Sequence, residues 1–142
     1  MIYLKSLFVT AIAGGLAAVY AAQGADVKVI ANLSVTVSSV TADELRNIFL
    51  ETKTSFSGGS PLEPVLSSGG PTHEAFLKQY LGKTDAALKT YYRSLVFTGK
   101  AFMPKMLRSD AEVAAYVAKT IGAIGYVNAN ASAPGAKIIT VR

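Results

Sequence analysis

Four residues do most to limit what this chain can become. Thr41 with Glu44, and Ser109 with Glu112, each place a hydroxyl three positions ahead of a carboxylate. That spacing is a capping box, in which the hydroxyl accepts a first-turn backbone N–H and the carboxylate reaches back to the cap. Two helix starts are thereby defined. Leu45, Ile48 and Phe49 follow the first at helical spacing, and Val113, Tyr116 and Val117 follow the second. Two more helices are punctuated by glycine: one carries Phe76, Leu77, Tyr80 and Leu81 before Gly82. The other carries Leu88, Tyr91, Tyr92, Leu95 and Val96 between Thr84 and Gly99.

The remaining stretches read differently. VKVIANLSV (27–35) and AKIITV (136–141) are β-rich, and GAIGYVNA (122–129) is a glycine turn running into a strand. LEPVL (62–66) is a brief strand interrupted by Pro64. ETKTSFSGGSPLEP (51–64) is loop, and KAFMPKMLRS (100–109) is a basic connection broken by proline. The predicted order is β, α, short β, α, α, α, β, β, without repeats or a dividing linker. Such mixing implies an α/β sandwich around a small mixed sheet.

Residues 1–25 stand apart. Lys5, an apolar core from Leu7 to Tyr20 and small residues after it are the parts of a secretory signal peptide. The expected mature unit is one domain over 26–142, exported to the periplasm or secreted, with no transmembrane segment. Without the leader about 118 residues remain, enough for one core and too few for two lobes. The chain has no cysteine, so packing rather than disulfides must hold it, and thiol catalysis and cysteine-ligated metal are excluded. The formal charge is +5, or +4 once Lys5 leaves with the leader, a mild excess that suits anionic ligands, polymers or membrane surfaces.

The segment SSGGPT (67–72) carries two readings. As an anion site, the Ser67, Ser68 and Thr72 hydroxyls join the Gly69 and Gly70 amides at a helix entrance, with Arg93 and Arg108 as supporting cations. As plain architecture, it is a βα loop with Pro71 near the first helical position. His73 is the single histidine, and with only Glu74 beside it a surface or capping role is expected. Asp43 with Glu44, and Asp110 with Glu112, sit in first helical turns, where they favour the dipole. No nucleophile triad, nucleotide loop or metal spacing appears, so neither catalysis nor a cofactor is expected. KTYYRSLVFTGKAFMPKMLR (89–108) interleaves cations with aromatics, a pattern that binds anionic polymers. Export argues against nucleic acid; a glycan, a lipid headgroup or an acidic partner fits the same surface. The competing expectation there is that Tyr92, Leu95 and Val96 are core and the cations solvated.

Three phrases in order, VSSVTADELRNIFLETKTSFSGGSPLEPV (37–65), HEAFLKQYLG (73–82) and SDAEVAAYVAKTIGAIGYV (109–127), resemble phosphate-type periplasmic substrate-binding proteins of ABC transporters. Those proteins have two lobes; this chain resembles one lobe of that type II fold, as a small single-lobe relative. The resemblance implies non-catalytic binding of a small oxyanion such as phosphate at Ser67, Ser68, Gly69, Gly70 and Thr72. In the family that loop carries an arginine and a Gly-Ser-Gly-Thr run; here it has no arginine, and Pro71 removes one N–H donor. The alternative is a ligand-free interaction module that uses the fold to bind a protein partner or envelope polymer. A homodimer would rebuild a two-sided cleft.

Overall fold

The computed structural model describes residues 26–142, so the leader reading falls outside the described residues. Ten elements follow in order: β1 (Val27–Asn32), β2 (Ser39–Val40), α1 (Ala42–Phe49), β3 (Glu63–Ser67), α2 (Pro71–Phe76), α3 (Asp85–Phe97), β4 (Lys105–Leu107), α4 (Asp110–Lys119), β5 (Ala123–Asn128) and β6 (Ala136–Val141). α2 runs on as a π-helical turn, Leu77–Leu81, which closes at Gly82 in the left-handed conformation.

The strands form one sheet in the order β2-β6-β1-β5-β3-β4. β1 runs antiparallel to β5 and β6, while β3 is parallel to both β5 and β4. Alternation along the strands divides the core in two. Val29, Ala31, Leu66, Ile124 and Tyr126 face α1, α2 and α3, whereas Ile30, Val65, Ala123 and Val127 face α4. Helices therefore cover both faces of a mixed sheet, the three-layer α/β architecture that the order of elements implied.

The helix starts are where local chemistry puts them. Thr41 Oγ1 accepts the Glu44 N–H at 3.0 Å and the Glu44 carboxylate accepts the Thr41 N–H at 3.4 Å. The Thr84 and Ser109 hydroxyls cap α3 and α4 by accepting the Ala87 and Glu112 N–H groups, but the expected box at Ser109 is not closed, because the Glu112 carboxylate accepts the Arg108 N–H instead. At the other end of α1, the Tyr91 and Tyr92 hydroxyls donate to the Leu50 and Phe49 carbonyls, each at 2.5 Å. Two adjacent residues of α3 thus satisfy carbonyls that a helix end leaves open.

Two expectations are corrected. The 100–109 segment is not all connection: Lys105–Leu107 pairs with β3 as the edge strand β4. Three residues carry too little pattern to announce a strand; the ladder offered by β3 creates it. Val96 is not core but exposed: the buried residues of α3 are Leu88 and Tyr92, and the helix ends one residue after Val96. Pro64 is accommodated because β4 joins only from Val65 onward, leaving the proline at the strand's beginning, where a missing N–H is tolerated.

Two glycines set how closely the layers approach. Gly125 on β5 lies under α4, where an added Cβ would stand 3.0 Å from Val113 Cγ1 and 3.3 Å from Val117 Cγ2. Gly122 has φ +79°, and its Cβ would meet the Pro61 carbonyl oxygen at 2.1 Å. Gly125→Ala should cost about 1–3 kcal/mol, since valine methyls can give way. Gly122→Ala meets immovable backbone in a left-handed conformation and should cost more. Urea unfolding of the two variants checks the ranking; equal midpoints would contradict it.

Candidate functional site

Parallel β3 and β4 end side by side, and the loop 67–72 leaves from that end. In open α/β sheets the crevice beyond the carboxyl ends of parallel strands is where ligands bind. Ser67 is buried and closes β3; its backbone N–H donates to the Tyr126 hydroxyl at 3.1 Å. The Ser68 N–H donates to the Leu107 carbonyl at 2.8 Å. Both amides are therefore engaged inside the protein. Gly69 and Gly70 are exposed, with open space around the position of any Cβ. Gly70 occupies the cap position of α2 at φ 96° with no side-chain cap, and Pro71 is the first helical residue. Among the described residues, the Gly69, Gly70, Thr72 and His73 N–H groups meet no acceptor. The mouth of α2 thus keeps backbone donors facing the loop.

The two cations proposed from sequence separate here. The register pairs Ser67 with Leu107, so Arg108 follows directly on the strand end beside the loop, its side chain exposed and without a hydrogen bond or ion pair to the loop among the described residues. Its backbone N–H is held by the Glu112 carboxylate at 2.8 Å. Arg93 is exposed on α3, and no hydrogen bond or ion pair joins it to the loop among the described residues. The neighbouring entrance of α4 is filled from within: Ser109 caps it and the Asp110 carboxylate accepts the Asn128 N–H at 3.0 Å.

His73 is the main departure from expectation. It is not on the surface but 1 % exposed, and both ring nitrogens are engaged. Nε2 meets the Asp85 carboxylate at 2.7 Å, Nδ1 meets the Tyr126 hydroxyl, and Lys89 Nζ lies 2.8 Å from the other Asp85 oxygen. One proton assignment satisfies every group. The Tyr126 oxygen already accepts the Ser67 N–H, so its own proton goes to Nδ1, and Nε2–H donates to Asp85. A signal for this was available: His73, Phe76, Leu77, Tyr80 and Leu81 follow the i, i+3, i+4, i+7, i+8 rule, placing the histidine in the buried stripe. Tyr126 and Phe76 stack with centroids 3.8 Å apart and planes within 8°.

A second concavity lies at the opposite end of β3, about 13 Å away along the strand. This groove of about 590 Å³ is walled by Leu62, Pro64, Val96, Phe102, Met103 and Pro104. It shares none of the loop residues. Among the described residues no group of three or more His, Asp or Glu gathers that could hold a metal.

Removing the Tyr126 hydroxyl leaves the Ser67 N–H and His73 Nδ1 without their partner. Tyr126→Phe should therefore cost about 2–4 kcal/mol, read from denaturant unfolding, with the aromatic stacking retained. The Lys89 ammonium, opposed by partial burial and helped by His73, holds the Asp85 carboxyl below its ordinary value of 3.8. A carboxyl depressed in the folded state contributes stability above its unfolded pKa and loses it as the pH falls through the folded one. The unfolding midpoint of the wild type should thus drop on acidification below about pH 4, more steeply than that of Asp85→Asn. Parallel slopes would show that Asp85 plays no such part.

No protein-family model matches the chain, and no curated protein matches it either. Solved structures do. A putative phosphate ABC transporter substrate-binding protein with bound phosphate from Clostridium perfringens is 18 % identical, with a TM-score of 0.65 over 81 % of this chain and 44 % of that one. PstS from Borrelia burgdorferi is 16 % identical, with a TM-score of 0.59 over 82 % of this chain and 47 % of its own. An ABC-type phosphate transport receptor from Vibrio cholerae is 14 % identical, with a TM-score of 0.54 over 81 % and 45 %. The chain spans less than half the length of each. In fold, it corresponds to one lobe of phosphate ABC transporter substrate-binding proteins.

Proposed function

We propose that residues 26–142 form an exported, single-domain, non-catalytic binding protein that takes a small phosphate-like oxyanion at the loop 67–72. The observation that carries this reading is the uncapped entrance of α2, opening at the carboxyl ends of parallel β3 and β4 beside Arg108. Gly69, Gly70 and Thr72 supply donors there, the Ser68 hydroxyl stands at the rim, and the arginine adds the charge that the loop itself lacks. Ser67 acts from behind, anchoring the loop to Tyr126. Solved structures of the same fold include one with phosphate bound, which supports the ligand class. The non-catalytic reading is supported by the histidine: closed off from solvent with both nitrogens engaged, it has no access to a substrate. A leader of the kind read in residues 1–25 supports a periplasmic or secreted location.

The site is open on one side, so a bound anion would be screened by salt. A facing second copy would close it, and sedimentation with and without phosphate reads that directly.

The direct test is calorimetric titration with phosphate and with sulfate, after carried-over anion has been removed by unfolding and refolding. Binding should be saturable, and Arg108→Gln should weaken it by about tenfold or more, the contribution expected of one charge-assisted contact. Arg93→Gln should leave it unchanged. The Ser68→Ala/Thr72→Ala pair should abolish binding without altering the unfolding midpoint. No heat and no stabilisation at millimolar anion would overturn the assignment and leave the loop as a helix entrance.

A further inference from the structure

Among the described residues seven large apolar side chains are exposed, and four of them, Val96, Phe97, Phe102 and Met103, fall in one eight-residue stretch. Phe97 and Phe102 are each 93 % exposed, close to what an extended chain would show. The helix end that carries Phe97 is not loosely held. Gly99 turns left-handed at φ 71°, its N–H donates to the Val96 carbonyl at 3.1 Å, and the Lys100 N–H donates to the Leu95 carbonyl at 2.8 Å. That is the double hydrogen bond of a Schellman cap, so Phe97 is presented at a defined helix end with Phe102 five residues on. A concentration of exposed aromatics of this kind marks an interaction surface.

We propose that this tip, residues 96–105, attaches to an anionic membrane surface. Phe97 and Phe102 enter the interfacial layer, and Lys100 and Lys105 meet the headgroup phosphates. Three observations select this occupant. The cations are exposed on the same short stretch as the rings, and Lys105 is further supported over the Tyr116 ring at 5.4 Å. Two acids, Glu51 and Glu63, line the groove beside them; both are half-buried, and Glu63 accepts the Tyr116 hydroxyl at 2.5 Å. A second copy docking about a two-fold axis would press these lysines against their own equivalents, a like-charge contact that disfavours self-association. A peptide seated in the adjoining groove would cover one side of a ring, whereas rings this exposed are desolvated fully by a medium that surrounds them. Two rings with two cations give a reversible rather than a permanent attachment. Anion capture at the 67–72 loop plays no part in this, so either proposal can fail alone.

The chain contains no tryptophan, so Phe102→Trp in the full chain places a single indole reporter at the tip. Adding phosphatidylcholine vesicles that contain phosphatidylglycerol should shift its emission to the blue, and brominated acyl chains should quench it. Lys100→Gln with Lys105→Gln in the same background should raise the lipid needed for half the shift by about tenfold or more. Phe97→Ser should weaken attachment while the circular dichroism spectrum stays unchanged, since that ring is almost fully in water already. Sedimentation of the chain with vesicles while the indole stays unshifted would mean attachment elsewhere, through residues 1–25 for example, and would overturn the proposal. A shift produced by raising protein concentration without lipid would overturn it in favour of a second copy. No shift under any condition would overturn it and leave the tip as a protein-docking surface.

Discussion

The Tyr126 hydroxyl is shared between the Ser67 N–H and His73 Nδ1, and the rest of the molecule is organised around that junction. Tyr126 sits on β5 in the middle of the sheet, Ser67 ends β3, His73 belongs to α2 and Asp85 to α3. A single chain of polar contacts thus runs from the sheet through one helix to the start of another, and it ends in the Lys89 ammonium. It crosses a region otherwise packed with Phe49, Phe76 and Leu88, where an unpartnered polar group would be costly. The low polarity that penalises a gap in this network also strengthens its bonds when all of them are made. Burial pushes the Tyr126 hydroxyl well above the ordinary tyrosine range, which keeps it a proton donor rather than a phenolate.

The junction has a consequence for function because it holds the loop from behind. Ser67 and Ser68 give their amides to Tyr126 and Leu107, which fixes the carboxyl ends of β3 and β4 and leaves Gly69, Gly70 and Thr72 to face outward. A flexible entrance would have to be ordered by the ligand at an entropic cost; this one is ordered by the core. The opposite end of the same strand pair has the reverse character. There the chain presents apolar side chains and a groove, outside the reach of the junction. One small sheet thus carries a polar, backbone-lined end and an apolar, lysine-flanked end, and each suits a different class of contact.

Much of the architecture was legible because it is local. A cap is a matter between residues three apart: Thr41 and Ser109 both mark true helix starts, though only Thr41 with Glu44 closes the full box, the Glu112 carboxylate being taken by the Arg108 N–H. Gly82 and Gly99 end their helices in the left-handed conformation that favours glycine. The apolar runs 27–32, 123–128 and 136–141 are strands, and the mixing of strands with helices along the chain already implied the α/β sandwich. The short β2 and β4 were not legible, since two or three residues have no period and exist only through pairing with β6 and β3. Val96 was misjudged because its helical phase is apolar, while its exposure at the last turn of α3 depends on what that turn packs against.

The candidate site divides along the same line. Sequence by itself determined the glycine-proline entrance to α2, the cations available to it and the absence of thiol chemistry, since these are facts of residue type and spacing. Tertiary structure decided which of those cations follows directly on the strand beside the loop, through a register that sets Leu107 beside Ser67. It also decided the fate of the histidine. The partners of His73 and Ser67 on β5 lie 53 and 59 residues further along the chain, and no local pattern links them. Capping and turn formation are settled within a few residues of backbone, whereas a buried polar network exists only once distant strands and helices have been packed together.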